Sequence, residues 1–190
     1  MTGQILERII YNDQKLVLMS EPLNQYLNTL KWLYGFKLQS TACWRGYVGL
    51  WKIIDDKLFL IKITGEGYKI DVEYLNNEKL KLKEQLKKKQ ITSADYQKLF
   101  KKLKDQVTDN KKDFPLSLKQ LFGVPGKVHA NWFTGELKLG KGKLLKSWGL
   151  GFDSIYEENI FLDVQGGVIV SKHVKVTTQQ KSSPSVSTPN

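Results

Sequence analysis

Apolar and polar positions alternate in short runs over most of this chain, a pattern typical of β-strands. In "ERIIYNDQKLVLM" two such runs flank Asn12 and Asp13, a turn pair that tolerates left-handed backbone and predicts a hairpin. Further reversals are predicted at Asp55–Asp56, at Gly65–Gly67, at "GKG" and at "QGG". The pattern predicts a mainly β (α+β) fold, an antiparallel meander closed as a barrel or a sandwich so that few strand edges stay open.

Two segments have helical spacing instead. Pro22, followed by apolar residues three and four apart from Leu23 to Leu30, predicts an N-terminal amphipathic helix over residues 21–31. Residues 76–113 contain no glycine or proline and carry 12 lysines against six acidic residues, which predicts an inserted lysine-rich helical hairpin. We therefore expect one β-rich domain formed by 1–73 and 114–176, a helical insertion at 74–113, and a disordered polar tail at 177–190.

The charge balance adds a candidate partner. The net charge is +11, and 28 of the 30 basic residues are lysines. A basic protein often meets nucleic acid, but an AT-rich genome produces the same lysine excess, and arginine is nearly absent. The charge therefore gives weak support to non-specific nucleic-acid binding.

No apolar run approaches the roughly 20 residues that span a bilayer, and no signal-peptide pattern opens the chain, so we expect a cytoplasmic protein without a membrane span.

Motifs for catalysis, metals and cofactors are incomplete. His129 and His173 are the only histidines, and neither has a cysteine or an acidic residue at ligand spacing. "GELKLGKG" has the spacing of a phosphate-binding loop up to Lys141, but Gly142 stands where a serine or threonine would bind magnesium. We predict no catalytic residue, no metal and no cofactor.

The stretch "TACWRGYVGLW", residues 41–51, concentrates aromatic side chains beside an arginine. If it is one continuous strand, residues alternate between its two faces, and both faces are apolar or aromatic. Buried packing, a small-molecule or peptide site, and a surface that stacks nucleic-acid bases are all compatible with it. The candidate ligand-binding residues are Trp44 on one face and Arg45, Tyr47 and Trp51 on the other.

Three stretches resemble a set of bacterial proteins that share a Trp-Arg-Gly-Tyr strand, an Asp-Lys-Leu hairpin and a Tyr-Glu strand. They are "CWRGYVGLWKIIDDKLFLIKI", "WFTGELKLGKGKLL" and "GFDSIYEENIFLDVQGGVIV", and the resemblance covers roughly residues 5–73 and 114–172. It implies a compact intracellular domain and supplies no activity. "KKQITSADYQKLFKKL" also resembles a short bacterial helix pair often associated with self-assembly, with a plain lysine-coated helix as the alternative.

Three functional hypotheses follow. The first is a non-enzymatic intracellular binding module of unknown ligand, whose aromatic strand and lysine-rich helical insertion contact a protein partner, with self-association through the insertion as a further possibility. The second is a nucleic-acid-associated protein whose insertion tracks phosphates while the aromatic strand stacks bases. An enzyme with a site near Arg45 comes third. For the second hypothesis the candidate residues are Lys87, Lys88, Lys89, Lys98, Lys101 and Lys102.

Overall fold

The computed structural model describes residues 3–30, 34–69, 72–109, 112–147 and 149–177. It is mainly β, with 45% strand and 25% helix, which confirms the predicted class. The tail predicted for residues 177–190 lies, after Thr177, outside the described residues. The strands are β1 (Glu7–Tyr11), β2 (Gln14–Leu18), β3 (Tyr34–Phe36), β4 (Tyr47–Ile54), β5 (Lys57–Lys69), β6 (Lys112–Pro115), β7 (Val128–His129), β8 (Gly135–Lys146), β9 (Ile155–Gln165) and β10 (Val168–Val176).

The ten described strands form one mixed sheet rather than a purely antiparallel meander. Its order is β10-β9-β8-β2-β1-β4-β5-β3, and β6 and β7 also pair with β5. The strands β1 and β4 run parallel, with Ile9 beside Trp51. A parallel pair needs a crossover connection, which here passes through α1 (Leu23–Thr29). The antiparallel prediction was therefore wrong for this pair.

The strand pairing returns on itself at one end of the sheet. Val168 of β10 pairs with Lys57 of β5, and the Leu58 amide donates to the Gly167 carbonyl at 2.8 Å. Gly167 has φ +76°, and a Cβ there would lie 2.6 Å from the Ala130 carbonyl oxygen, so only glycine fits this closing turn. The result is a ring of hydrogen-bonded strands.

The inward face of this ring holds the hydrophobic core. Ile9, Leu18, Trp51, Leu60 and Leu137 are all fully buried, and they come from five different strands. In β1, β2, β4, β8 and β9, and in the first half of β5, buried residues recur at every second position, which is why the short alternating runs in the sequence fill one core. The helix α4 (Leu118–Phe122) adds Leu118 and Leu121 to it.

Two longer helices, α2 (Val72–Lys87) and α3 (Ser93–Asp109), stand between β5 and β6 and pack on each other. We call residues 72–109 the arm. Tyr96 and Phe100 of α3 stack with ring centroids 6.0 Å apart, and Leu103 is buried. Within the described residues, no helix is long and apolar enough to cross a membrane.

Candidate functional site

The segment predicted as one strand over residues 41–51 is a turn followed by a strand. The chain turns from Thr41 to Gly46, and β4 begins at Tyr47. Gly46 has φ +74°, and a Cβ there would lie 2.5 Å from the Lys37 carbonyl oxygen, so the turn requires glycine. The continuous-strand prediction was therefore wrong, and Trp44 and Trp51 do not share a strand.

Arg45 is fixed by four groups of the fold. Its Nε donates to the Tyr47 carbonyl at 2.9 Å, and its two terminal nitrogens donate to Glu21 Oε1 at 2.8 Å and to the Ile5 carbonyl at 2.6 Å. The guanidinium carbon also lies 5.5 Å from the centroid of the Tyr47 ring. Its side chain is only 10% exposed. The planar fork of arginine suits this arrangement because it presents several donors in fixed directions.

Glu7 is buried beside this arginine at the start of β1. The Trp51 indole N–H donates to its Oε2, and the Gly49 backbone amide also bonds its carboxyl group. Its Oε1 lies 3.6 Å from Arg45 Nε, within ion-pair range but too far for a hydrogen bond, and has no hydrogen-bond partner among the residues that the structure describes. Burial raises the pKa of the Glu7 carboxyl to about 7, because the opposing effects of Trp51, Arg45 and Gly49 are smaller.

The hydrogen bonds continue to α1. The Tyr47 hydroxyl donates to Asn24 Oδ1 at 2.8 Å, and Asn24 Nδ2 donates to Glu21 Oε2 at 2.7 Å. Burial, with smaller effects from Glu7 and Glu21, raises the pKa of the Tyr47 phenol, so it stays a neutral donor. We call these linked residues the Arg45 cluster: Glu7, Glu21, Asn24, Arg45, Tyr47 and Trp51.

Gly49 makes room for the centre of this cluster. A Cβ at this position would lie 2.7 Å from Trp51 Nε1 and 2.8 Å from Glu7 Oε2. The indole and the carboxylate therefore meet across the backbone of β4 only because residue 49 has no side chain.

The Arg45 cluster combines three of the four predicted ligand-binding residues and leaves out the fourth. Tyr47 is 1% exposed and Trp51 is fully buried, whereas Trp44 is 55% exposed. This enclosed network stabilises the core rather than offering a ligand surface, since each of its donor atoms already bonds a group of the fold. Within the cluster, burial raises the pKa of the Glu7 carboxyl to about 7, which places its proton exchange near neutral pH.

A small cavity of about 110 Å³ lies elsewhere, along β8, β9 and the end of β10. No member of the Arg45 cluster lines it. Within the described residues, no group of three or more histidine, cysteine or acidic side chains is placed to hold a metal. The cavity is lined by Lys138, Ser154, Ile155, Asn159, Phe161, Lys175 and Thr177.

The six candidate nucleic-acid lysines all lie exposed on the arm. Three of them are in and after the last turn of α2, and three are on α3. Tyr47 and Trp51, the two rings predicted to stack bases beside these lysines, are buried on the inward face of the sheet. The structure therefore does not join these lysines to those two rings in one surface. The lysines are Lys87, Lys88, Lys89, Lys98, Lys101 and Lys102.

Sequence reasoning missed Glu7, Glu21 and Asn24. One signal for Glu7 was present, since it shares the period-two alternation of Ile9 and so points to the core. Nothing in the sequence links Glu7 to Trp51, because the parallel pairing of β1 with β4 joins segments 44 residues apart.

Comparison of this chain with protein-family models, curated proteins and solved structures found no match.

The raised pKa of Glu7 predicts a pH-dependent stability. The folded state holds this proton more tightly than the unfolded chain, so the stabilisation is complete below the ordinary pKa near 4.5 and is lost as pH rises through about 7. The shift corresponds to about 3 kcal/mol of unfolding free energy. Urea titrations at several pH values across this range measure how the free energy of unfolding changes with pH. Glu7→Gln should remove most of that pH dependence while keeping an acceptor for the Trp51 indole. An unchanged slope in that variant would assign the dependence to other groups.

Proposed function

We propose that this chain is a non-enzymatic binding module of the cytoplasm, in which a barrel-like sheet is the scaffold and the arm is a contact surface. The support comes from the difference between side chains that already bond within the fold and side chains that are exposed. Arg45, Tyr47 and Trp51 make their contacts inside the fold, whereas the lysines of the arm are exposed on a pair of helices. An exposed charged surface on a separate helical pair suits a partner better than an enclosed network does.

The charge of the arm indicates the chemistry of its partner. Residues 72–109 contain ten lysines and six acidic residues. A second copy would bring like charges together, so the proposal commits to a partner protein with an acidic surface. Leu80, 59% exposed, and Leu99, 39% exposed, offer apolar contact between the lysines.

A second candidate function is nucleic-acid association through the arm, supported by the exposure of its six candidate lysines. With Tyr47 and Trp51 inside the sheet, such binding would consist of phosphate contacts and would weaken steeply with salt. An enzyme with a site at Arg45 has less support, because each nitrogen of that guanidinium already donates to a group of the fold.

The test separates the arm from the scaffold. Lys69 pairs with Lys112 across β5 and β6, so the ends of the arm are adjacent, and about six Gly and Ser residues can replace residues 72–109. We expect this variant to keep its cooperative melt by circular dichroism, because α2 and α3 pack mainly on each other. In nuclease-treated cell extracts, the full chain should elute in a larger complex during size-exclusion chromatography, and the variant should elute as a monomer.

Matched charge variants supply the control. Changing Lys98, Lys101 and Lys102 to glutamate should disrupt the complex, whereas changing the same three to arginine should preserve it. A monomeric full chain in the extract would contradict the proposal. So would a complex that survives both the charge reversal and the arm replacement.

A further inference from the structure

The outward face of β2, β1, β4 and β5 carries a regular arrangement of basic and apolar residues. Strand pairing places Val17, Arg8, Leu50 and Lys62 side by side in one row across the four strands. The next row contains Lys15, Ile10, Lys52 and Phe59; it lies two residues further along β2, β1 and β4, and three residues along β5, where the pairing with β4 shifts register. We call these eight residues the outer basic face.

Burial confirms that this row pattern faces away from the core. Ile9, Leu16, Trp51 and Leu60 alternate with these residues and are buried, so the eight point to the other side of the sheet. Arg8, Lys15 and Lys62 are exposed and Lys52 is half-buried. Basic and apolar residues therefore alternate both along each strand and from one strand to the next.

The four basic groups of this face are free to meet an external anion. None of them forms an ion pair with any residue that the structure describes. The chain has two arginines, and since Arg45 is enclosed by the Arg45 cluster, Arg8 supplies the exposed guanidinium. The neighbouring acids, Asp13, Asp55 and Asp56, lie in the two hairpin turns at one end of the face.

We propose that the outer basic face binds the backbone of a single-stranded nucleic acid. Neighbouring strands lie about 4.8 Å apart and alternate residues of a strand about 6.7 Å apart, so the four cations are roughly 7–10 Å from their neighbours. The phosphates of an extended strand recur at distances of the same order. Half-buried Leu50 and Ile10 lie between the cations, where sugars and unpaired bases meet the sheet.

Phe59 at the corner of the face adds a ring for a base. It is half-buried, and Lys127 Nζ lies 4.9 Å from its ring centroid. A stacked base would take the place of that ammonium group, which would then reach a phosphate. Base stacking on aromatic side chains tolerates any sequence, so the binding would have little base preference.

This surface fits a nucleic acid better than it fits a membrane. The apolar side chains Ile10, Val17 and Leu50 are half-buried between longer basic side chains, and insertion into lipid requires apolar groups that protrude. The proposal goes beyond the arm as a contact surface, because it assigns binding to the sheet itself.

The experiment measures fluorescence anisotropy of a labelled oligothymidylate of about 20 nucleotides with the full chain. Four phosphate contacts on a single strand predict a log–log salt slope near −3, so affinity should fall about 50-fold between roughly 50 and 200 mM salt. A variant with Arg8, Lys15, Lys52 and Lys62 changed to glutamine should bind at least about tenfold more weakly at low salt and show a much smaller salt slope. Its melt should match that of the parent, since these side chains cover no core.

Three controls decide between the alternatives. Replacing the arm should change the affinity for oligothymidylate by no more than about twofold. If the arm-replaced protein loses binding and the four-glutamine face variant keeps it, the proposal is overturned and binding belongs to the arm. Phe59→Leu should weaken oligothymidylate binding about tenfold and leave heparin binding unchanged. Two further results would overturn the single-strand assignment. One is that the full chain does not bind oligothymidylate at low salt. The other is that it binds phosphatidylserine vesicles equally well and the face variant loses that binding too.

Discussion

Replacing Trp51 with alanine is expected to lower the free energy of unfolding by about 3–5 kcal/mol, the range for removing a buried tryptophan. Trp51 is fully buried, and its indole N–H donates to Glu7. Truncation therefore opens a cavity in the core and also removes a donor from a buried carboxyl group. Urea denaturation at constant pH measures this loss, and the melting temperature should fall with it.

Trp44 provides the matched control. Its side chain is 55% exposed, and its backbone amide, which donates to Gln4 at 2.9 Å, is kept in an alanine variant. Trp44→Ala should change stability by no more than about 0.5 kcal/mol. If both variants melt like the parent, the placement of Trp51 in the core is wrong, and if both are equally destabilised, the exposed turn position of Trp44 is wrong.

Replacing Arg45 with leucine is expected to cost about 3–5 kcal/mol, because it leaves a buried carboxylate without its counter-charge. Glu7 would lose its nearest cation, and Glu21 and the Ile5 carbonyl would each lose a donor. Arg45→Lys should recover only part of this loss, since an ammonium group does not present the same fork of donors. Denaturation at neutral pH, where Glu7 is partly ionised, measures the effect.

A double variant tests whether the loss belongs to the charge pair. Glu7→Met combined with Arg45→Leu removes both charges, so it should be closer to the parent than the sum of the two single losses predicts. Strict additivity, or an Arg45→Leu protein within about 1 kcal/mol of the parent, would mean that the pair does not couple.

The hairpins were predictable where turn chemistry was unambiguous. Asn12–Asp13 and Asp55–Asp56 both adopt positive φ between paired strands, as their sequences predict, and the turn at Gly166–Gly167 joins β9 to β10. Reversals predicted at Gly65–Gly67 and at "GKG" were wrong. β5 and β8 run through these glycines, and β8 absorbs Gly142 as a register shift in its pairing with β9. A glycine permits a turn or a bulge equally well, and only the partner strand decides.

Helix caps were predictable in the arm and not near the Arg45 cluster. Thr92 caps α3, since its hydroxyl accepts from the Asp95 amide at 3.1 Å. Ser20, three residues before α1, is also a residue type that caps helices, but its hydroxyl accepts from the Lys138 amide at 2.9 Å and α1 has no side-chain cap. A strand 118 residues away competes for this side chain, and local sequence contains no sign of it.

The candidate site was predicted in its residues more than in its role. Alternation placed Tyr47 and Trp51 on one face of a strand, and both are indeed inward. Gly46 was read as part of that strand, since one glycine in an aromatic run does not reveal its φ. The contact between Glu7 and Arg45 was not predictable from the sequence, because it depends on the parallel pairing of β1 with β4, which joins segments far apart in the chain.

The central claim is that the inward side of the sheet only holds the fold together, and that binding takes place on outward surfaces, which are the arm and the outer basic face. An amide and indole NMR titration of the full chain with the same oligothymidylate tests it most directly, because Trp51 reports the interior through its indole N–H. We predict shifts concentrated at outward-facing Arg8, Lys52 and Lys62, with the Trp51 indole resonance unmoved. A moving Trp51 indole signal with unperturbed outward amides would contradict this division and make the Arg45 cluster the binding site.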